Sequence, residues 1–173
     1  VGMKADDFDA VFPWSAIKRQ EIGGNVMVEI PKHYTRRDVR DGYEYRMISA
    51  EKLPGFYVDP AFVENGKEVE KIYVGAYEAR LDDTGRMVSK AGVHPTADKT
   101  RVEYREAAKA NGKGFGIFDL RTLLMLQNLF LVEHADRNSQ KVLGNGWAKM
   151  LQPARTHRSV REEMGVNRLI TRP

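Results

Sequence analysis

The side chains that do chemistry are few in this chain and scattered. There is no cysteine, which excludes thiolate nucleophiles, disulfides, iron–sulfur ligation and thiolate zinc sites in one step. The four histidines, His33, His94, His134 and His157, show no H-x-x-x-H spacing and no triad-like carboxylate pairing. His134, flanked by Glu133 and Asp136, falls at the end of a strong helical pattern, where an imidazole sits well against the negative end of the dipole. Asp136-Arg137-Asn138-Ser139-Gln140 sets oxygens at alternate positions as a calcium loop does. It lacks the turn glycine and the distal bidentate Glu, so a loop held by side-chain hydrogen bonds is the simpler reading. Asn111-Gly112-Lys113-Gly114-Phe115-Gly116 has the glycine content of a phosphate cradle, but the spacing is wrong and a helix precedes it, so it reads as helix termination. Phe8, Phe12, Trp14, Phe56, Tyr57, Phe62, Tyr73 and Tyr77 offer stacking surface, and rings spread through strands and loops are usually core. The expectation is a chain with no catalytic residue, no metal ligand and no cofactor.

The elements that would position these groups divide near residue 98. Val26–Ile30 follows a Gly23-Gly24-Asn25 turn, and Tyr43–Ile48 alternates after Asp41-Gly42, so both read as strands. Residues 53–62, with two prolines and three aromatics, read as an ordered loop pinned by buried rings. Glu70–Arg80, with Ile72, Val74 and Ala76 on one face and Tyr73 and Tyr77 on the other, reads with Met87-Val88 as the principal hairpin, turning at Asp82-Asp83-Thr84-Gly85. Thr100-x-x-Glu103 is a capping box opening a helix to about Ala110. A second helix starts at Asp119 and runs to about Asp136; its apolar residues go nearly all the way round, which predicts the most buried helix. The sum is an α+β fold with short antiparallel strands and two packed helices.

Hydrophobic residues make up 42% and charged residues 30% of the 173, which excludes overall disorder. The longest apolar runs, Leu123–Leu126 and Leu129–Val132, are four residues each, far short of the ~20 a membrane helix needs. Net charge is +4, but residues 153–173 hold five arginines against two glutamates and the rest only 23 basic against 22 acidic groups. A nucleic-acid groove along the body is therefore not expected. In the tail, Arg155, Arg158 and Arg161 recur every three residues, with Ser159-x-x-Glu162 able to cap a turn. These arginines are the candidate partner contacts of an arm over 153–173, set apart from a domain over 1–152 and ordered by a neighbouring subunit.

Several strings occur in a telling order: Phe12-Pro13-Trp14-Ser15-Ala16-Ile17-Lys18-Arg19, Val26–Lys32, Pro54–Phe62, Ile72-Tyr73-Val74-Gly75-Ala76-Tyr77-Glu78, Lys99-Thr100-Arg101, and Glu133–Gln140 with Gly144-Asn145-Gly146. Over residues 8–150 the chain resembles tail-associated and other virion structural proteins of bacteriophages and prophages. The resemblance implies a C-type lectin-like fold, shared with phage receptor-binding domains and formylglycine-generating enzymes, with Gly75-Ala76-Tyr77-Glu78 as its signature strand and both helices beneath a twisted sheet. Such domains continue into a Trp-rich half, whereas here only Trp14 and Trp147 occur. On that comparison the fold is incomplete, and Val166–Ile170 opens an insertion whose remainder is missing. Formylglycine-generating enzymes work through a cysteine pair, so a non-enzymatic role is implied. Its partners would be other virion subunits, further copies of the chain and a host-surface receptor or glycan, with no membrane insertion and assembly in the host cytoplasm. The alternative is an assembly or adaptor module docking through the basic arm.

Overall fold

Glycine-punctuated alternation makes the first half of the chain a run of strands. In the computed structural model, which describes residues 4–144 and 169–172, β1 (Lys18–Ile22) turns through Gly23-Gly24 into β2 (Asn25–Pro31), and β3 (Tyr34–Arg40) turns through Asp41-Gly42 into β4 (Tyr43–Ser49). Short strands follow: β5 (Tyr57–Val58), β6 (Val63–Glu64), β7 (Lys67–Glu68), β8 (Lys71–Gly75), β9 (Arg80–Leu81) and β10 (Met87–Val88). Then come α1 (Arg101–Lys109), β11 (Phe115–Ile117), α2 (Leu120–His134), α3 (Ser139–Leu143) and β12 (Leu169–Thr171). The fold is α+β, and every pairing of known register is antiparallel. No helix among the described residues is long and apolar enough to cross a membrane.

The described residues form two compact units, each assembled from separated segments: 4–17, 30–72 and 119–142 in one, and 18–29, 73–118, 143–144 and 169–172 in the other. The single domain over 1–152 expected from the sequence runs across both units.

The second unit holds most of a five-stranded sheet in the order β1-β2-β8-β12-β11. Its core gathers Met27, Ala79, Met87, Ala107 and Ala108, with Tyr104, Phe115 and Ile117 packed against them. The capping box starts α1 as expected: Thr100 Oγ1 accepts the Glu103 N–H, and the Thr100 N–H donates to Glu103 Oε2 at 2.8 Å. Asn111, which ends α1, also clamps the interior. Its Nδ2 donates to the Met87 carbonyl (2.8 Å), its Oδ1 accepts from Asn25 Nδ2 (3.1 Å), and Asn25 Oδ1 accepts the Ser89 N–H (2.9 Å). Buried amides satisfied by one another in this way hold a core in one arrangement.

Two sequence readings are corrected in this unit. The tail does not run as an arm to residue 173, because Leu169–Thr171 is an inner strand. Ile170 lies opposite Val74 on β8 and Gly116 on β11, and both Ile170 and Thr171 are buried. A three-residue strand among arginines carries too little periodicity to show in sequence. The hairpin expected over 70–88 is also divided. Strand β8 ends at Gly75, and only β9 and β10 pair across the Asp82–Gly85 turn. There Asp82 Oδ1 accepts from the Thr84 hydroxyl (2.6 Å) and from the N–H groups of Thr84 and Arg86. These bonds, the Thr84 hydroxyl foremost, hold its pKa down at about 2.

In the first unit β3 pairs with β4 over seven residue pairs and with β5 over two. Residues 53–62 are thus less irregular than expected: Tyr57–Val58 joins a sheet, and Pro60–Phe62 is a 3-10 turn capped by Asp59, whose Oδ1 accepts the Ala61 N–H. Phe62 is fully buried, but Tyr57 is exposed. Helix α2 begins where expected, with Asp119 Oδ1 accepting the Thr122 N–H at 2.8 Å. It is not buried all round. Thr122, Met125, Asn128, Leu129, Phe130 and Glu133 face inward, against β4 and the Pro60–Phe62 turn among others, while Leu120 and Leu124 are 67% and 54% exposed. Three polar residues take inward positions, and that displaces two leucines to the surface.

Candidate functional site

The histidines do not converge. His33 is fully buried, with its ring edge-on to Phe62 at 4.9 Å and Nδ1 3.1 Å from the Pro31 carbonyl. His94 is exposed. His134 closes α2 as read from the sequence, its Nε2 3.6 Å from Glu133 Oε1 and its ring 4.7 Å from that of Phe130. His157 and the candidate contacts Arg155, Arg158 and Arg161 lie outside the described residues. The loop after α2 is held by its own side chains, Asp136 accepting the Asn138 N–H (2.9 Å) and Asn138 accepting the Lys141 N–H (3.0 Å). No group of three or more His, Asp or Glu side chains suited to a metal ion occurs among the described residues.

Of the glycines after α1, Gly114 serves packing. Gly114, at φ +87°, lies so close to β12 that a Cβ there would stand 2.3 Å from the Arg172 carbonyl oxygen. Gly114 thus admits a neighbouring backbone, whereas Gly112 has nothing within 4 Å and Gly116 faces only the Ile170 side chain.

A cavity of about 470 Å³ lies at the C-terminal end of α2, lined by Phe8, Lys4, Glu133, His134, Asp136 and Lys141 among others. Its charges are turned on one another: Lys141 pairs with Asp136 at 3.4 Å, and Glu133 with His134. The Asp136 carboxylate is therefore engaged by Lys141 rather than turned toward a guest.

The most developed surface is the β3–β4 hairpin, and sequence reading found only one of its strands. Tyr34–Arg40 is rich in charge and hides its alternation, although Asp41-Gly42 between two alternating runs is the type I′ hairpin signal. Asp41 and Gly42 take φ of 53° and 78°, as that turn requires. The hairpin is fixed from within. Asn128 of α2 donates to Thr35 Oγ1 (2.9 Å), Thr35 donates to the Met47 carbonyl, and Arg46 donates to Asn128 Oδ1 (3.4 Å). Arg46 also pairs with Glu44, which Arg37 grips through Nε and NH2 at 3.0 and 3.1 Å. Loss of hydration pushes the Glu44 carboxyl up, but the two guanidinium groups outweigh it and hold the group below its ordinary range. On the other face Arg36 pairs with Asp38 at 2.7 Å and lies over Gly55, and the Arg40 guanidinium stands 4.6 Å above the Tyr45 ring. The outcome is an exposed tyrosine–arginine surface, the residue types enriched where proteins meet partners.

No protein-family model matches the chain, and no curated protein matches it.

Proposed function

We propose that the protein is a structural component of a bacteriophage or prophage particle, tail-associated, that works by contact with neighbouring subunits and with the host surface and carries no catalysis. One observation carries the reading: the β3–β4 hairpin exposes a tyrosine–arginine face while its opposite face is anchored to α2 through Asn128. A ribbon anchored in this way has less backbone freedom to lose when a partner arrives. The resemblance of the ordered strings to those of virion proteins suggests the particle context. The antiparallel α+β make-up agrees with a C-type lectin-like arrangement, the form in which host recognition would be carried.

The test is direct. Antiserum against the chain should label purified particles from the producing strain, and the fluorescently labelled chain should bind host cells. Particles free of the chain would overturn the structural role. Turnover of an ester, phosphate, glycoside or peptide substrate that vanishes in His134→Ala would overturn the absence of catalysis.

A further inference from the structure

The β3–β4 hairpin is covered only along its inner half. Thr35 is buried, whereas Val39, Tyr43 and Tyr45 are 67%, 70% and 41% exposed. Asp38 lies opposite Tyr45 and Arg40 opposite Tyr43, so these four side chains share one face of the ribbon. A two-stranded ribbon extending beyond its cover is marginal by itself in water, and this one exposes two adjacent tyrosine rings at its tip.

The charges of the hairpin sort into matched and unmatched sets. Arg36 is matched by Asp38, and Arg37 and Arg46 by Glu44. What remains is Arg40 and Asp41, neighbours of opposite sign at the turn, neither with an ion-pair partner among the described residues. Arg40 is held in position by its stacking on Tyr45. This leaves the guanidinium edge open to a carboxylate.

We propose that this face is a self-association surface whose partner is the same face of a second copy of the chain. A two-fold contact requires that if residue i meets residue j, j also meets i. Arg40 and Asp41 satisfy that condition: each arginine meets the other copy's aspartate, with Tyr43 and Tyr45 packed between. A uniformly acidic partner would suit Arg40 and be repelled by Asp41. The patch is therefore complementary to itself before anything else. It is also far smaller than the surfaces of tight complexes, so the dimer is weak and concentration-dependent. The inference rests on the reading of the hairpin as a contact surface and names its partner; membership of a particle does not enter it.

Sedimentation velocity on the purified full chain tests this without any particle. The expected result is a dimer fraction that grows with concentration, shrinks as salt is raised, and disappears in Tyr43→Ser, whose exposed position leaves the fold intact. Arg40→Glu and Asp41→Lys should each weaken association by about ten-fold or more, since both symmetric contacts become repulsive. An equimolar mixture of the two variants should recover the dimer, because every cross-contact again joins opposite charges. Far-ultraviolet spectra and melting curves of each variant establish that it folds. A chain that stays monomeric at all concentrations, a dimer indifferent to Tyr43→Ser, or a mixture that fails to recover would each overturn the proposal. A monomer that still binds host cells would give this face to a host ligand instead, leaving the reading of the hairpin as a contact surface in place.

Discussion

His33 is sealed from water, and its Nε2 has no hydrogen-bond partner among the described residues. Burial holds its pKa down at about 4, against a weaker upward pull from the Pro31 carbonyl. The unfolded chain, with an ordinary histidine near ~6.5, therefore takes up the proton first. The contribution of His33 to stability is full above that value and is lost as pH falls towards 4, by about 3 kcal/mol in all. Urea titrations at pH 7 and 4.5 should show the loss, and His33→Leu should flatten it. Nearby Asp59, whose pKa burial raises, works in the opposite sense, its stabilisation being lost as pH rises through its folded pKa; Asp59→Asn separates the two. At Gly114 the backbone is the issue. Gly114→Ala should cost at least ~1–2 kcal/mol from the positive φ alone, with the approach of the Arg172 carbonyl added, whereas Gly85→Asn, in an open turn with nothing within 4 Å, should be near neutral in thermal melts. Local signals of this kind were readable in sequence where the side chain answers its own backbone, as at Thr100–Glu103, Asp119 and Asp82. The reason for Gly114 was not readable, because the atom that requires glycine there belongs to Arg172, more than fifty residues away just past β12.

Helix α2 separates what periodicity gives from what packing decides. Its length and N-cap were legible, but an all-round apolar sequence defines no face, and the buried side was settled by polar residues whose partners lie on β3 and β4. Phe130→Ala should accordingly cost ~3–5 kcal/mol, while Leu124→Ala, at a half-exposed position, should cost under ~1 kcal/mol. Denaturant curves on the two variants decide between this helix orientation and one buried all round. Asn128→Ala leaves Thr35 and Arg46 without their amide partner and should cost ~1–3 kcal/mol. It should also raise hydrogen exchange at the β3–β4 amides, which loss of packing elsewhere would not do selectively. The strand β3 shows the complementary difficulty. Four of its seven residues are charged, and their place in a strand becomes visible only once Arg36 is seen paired with Asp38 and Arg37 with Glu44 across the hairpin.

At the scale of the molecule the decisive piece is β12, which stands between β8 and β11. Removing residues 169–173 should expose the facing edges of β8 and β11 and take away the buried Ile170 side chain, a loss of at least ~2 kcal/mol. A melting temperature unchanged by that truncation would return the segment to the role of an arm. The order in which the segments are threaded has a consequence of its own. Each unit takes residues from at least three stretches of chain, changing over near 17, 29, 72, 118 and 142. No single cut in the polypeptide therefore releases either unit whole. Expression of any one stretch yields strands without their neighbours, and limited proteolysis should give fragments that stay associated until denatured. Because β8 and β12 meet across roughly a hundred residues, closing the sheet depends on a distant contact of the kind that slows folding. Any one stretch excised for binding studies would fail for this reason, and such studies need all the stretches of a unit on one chain.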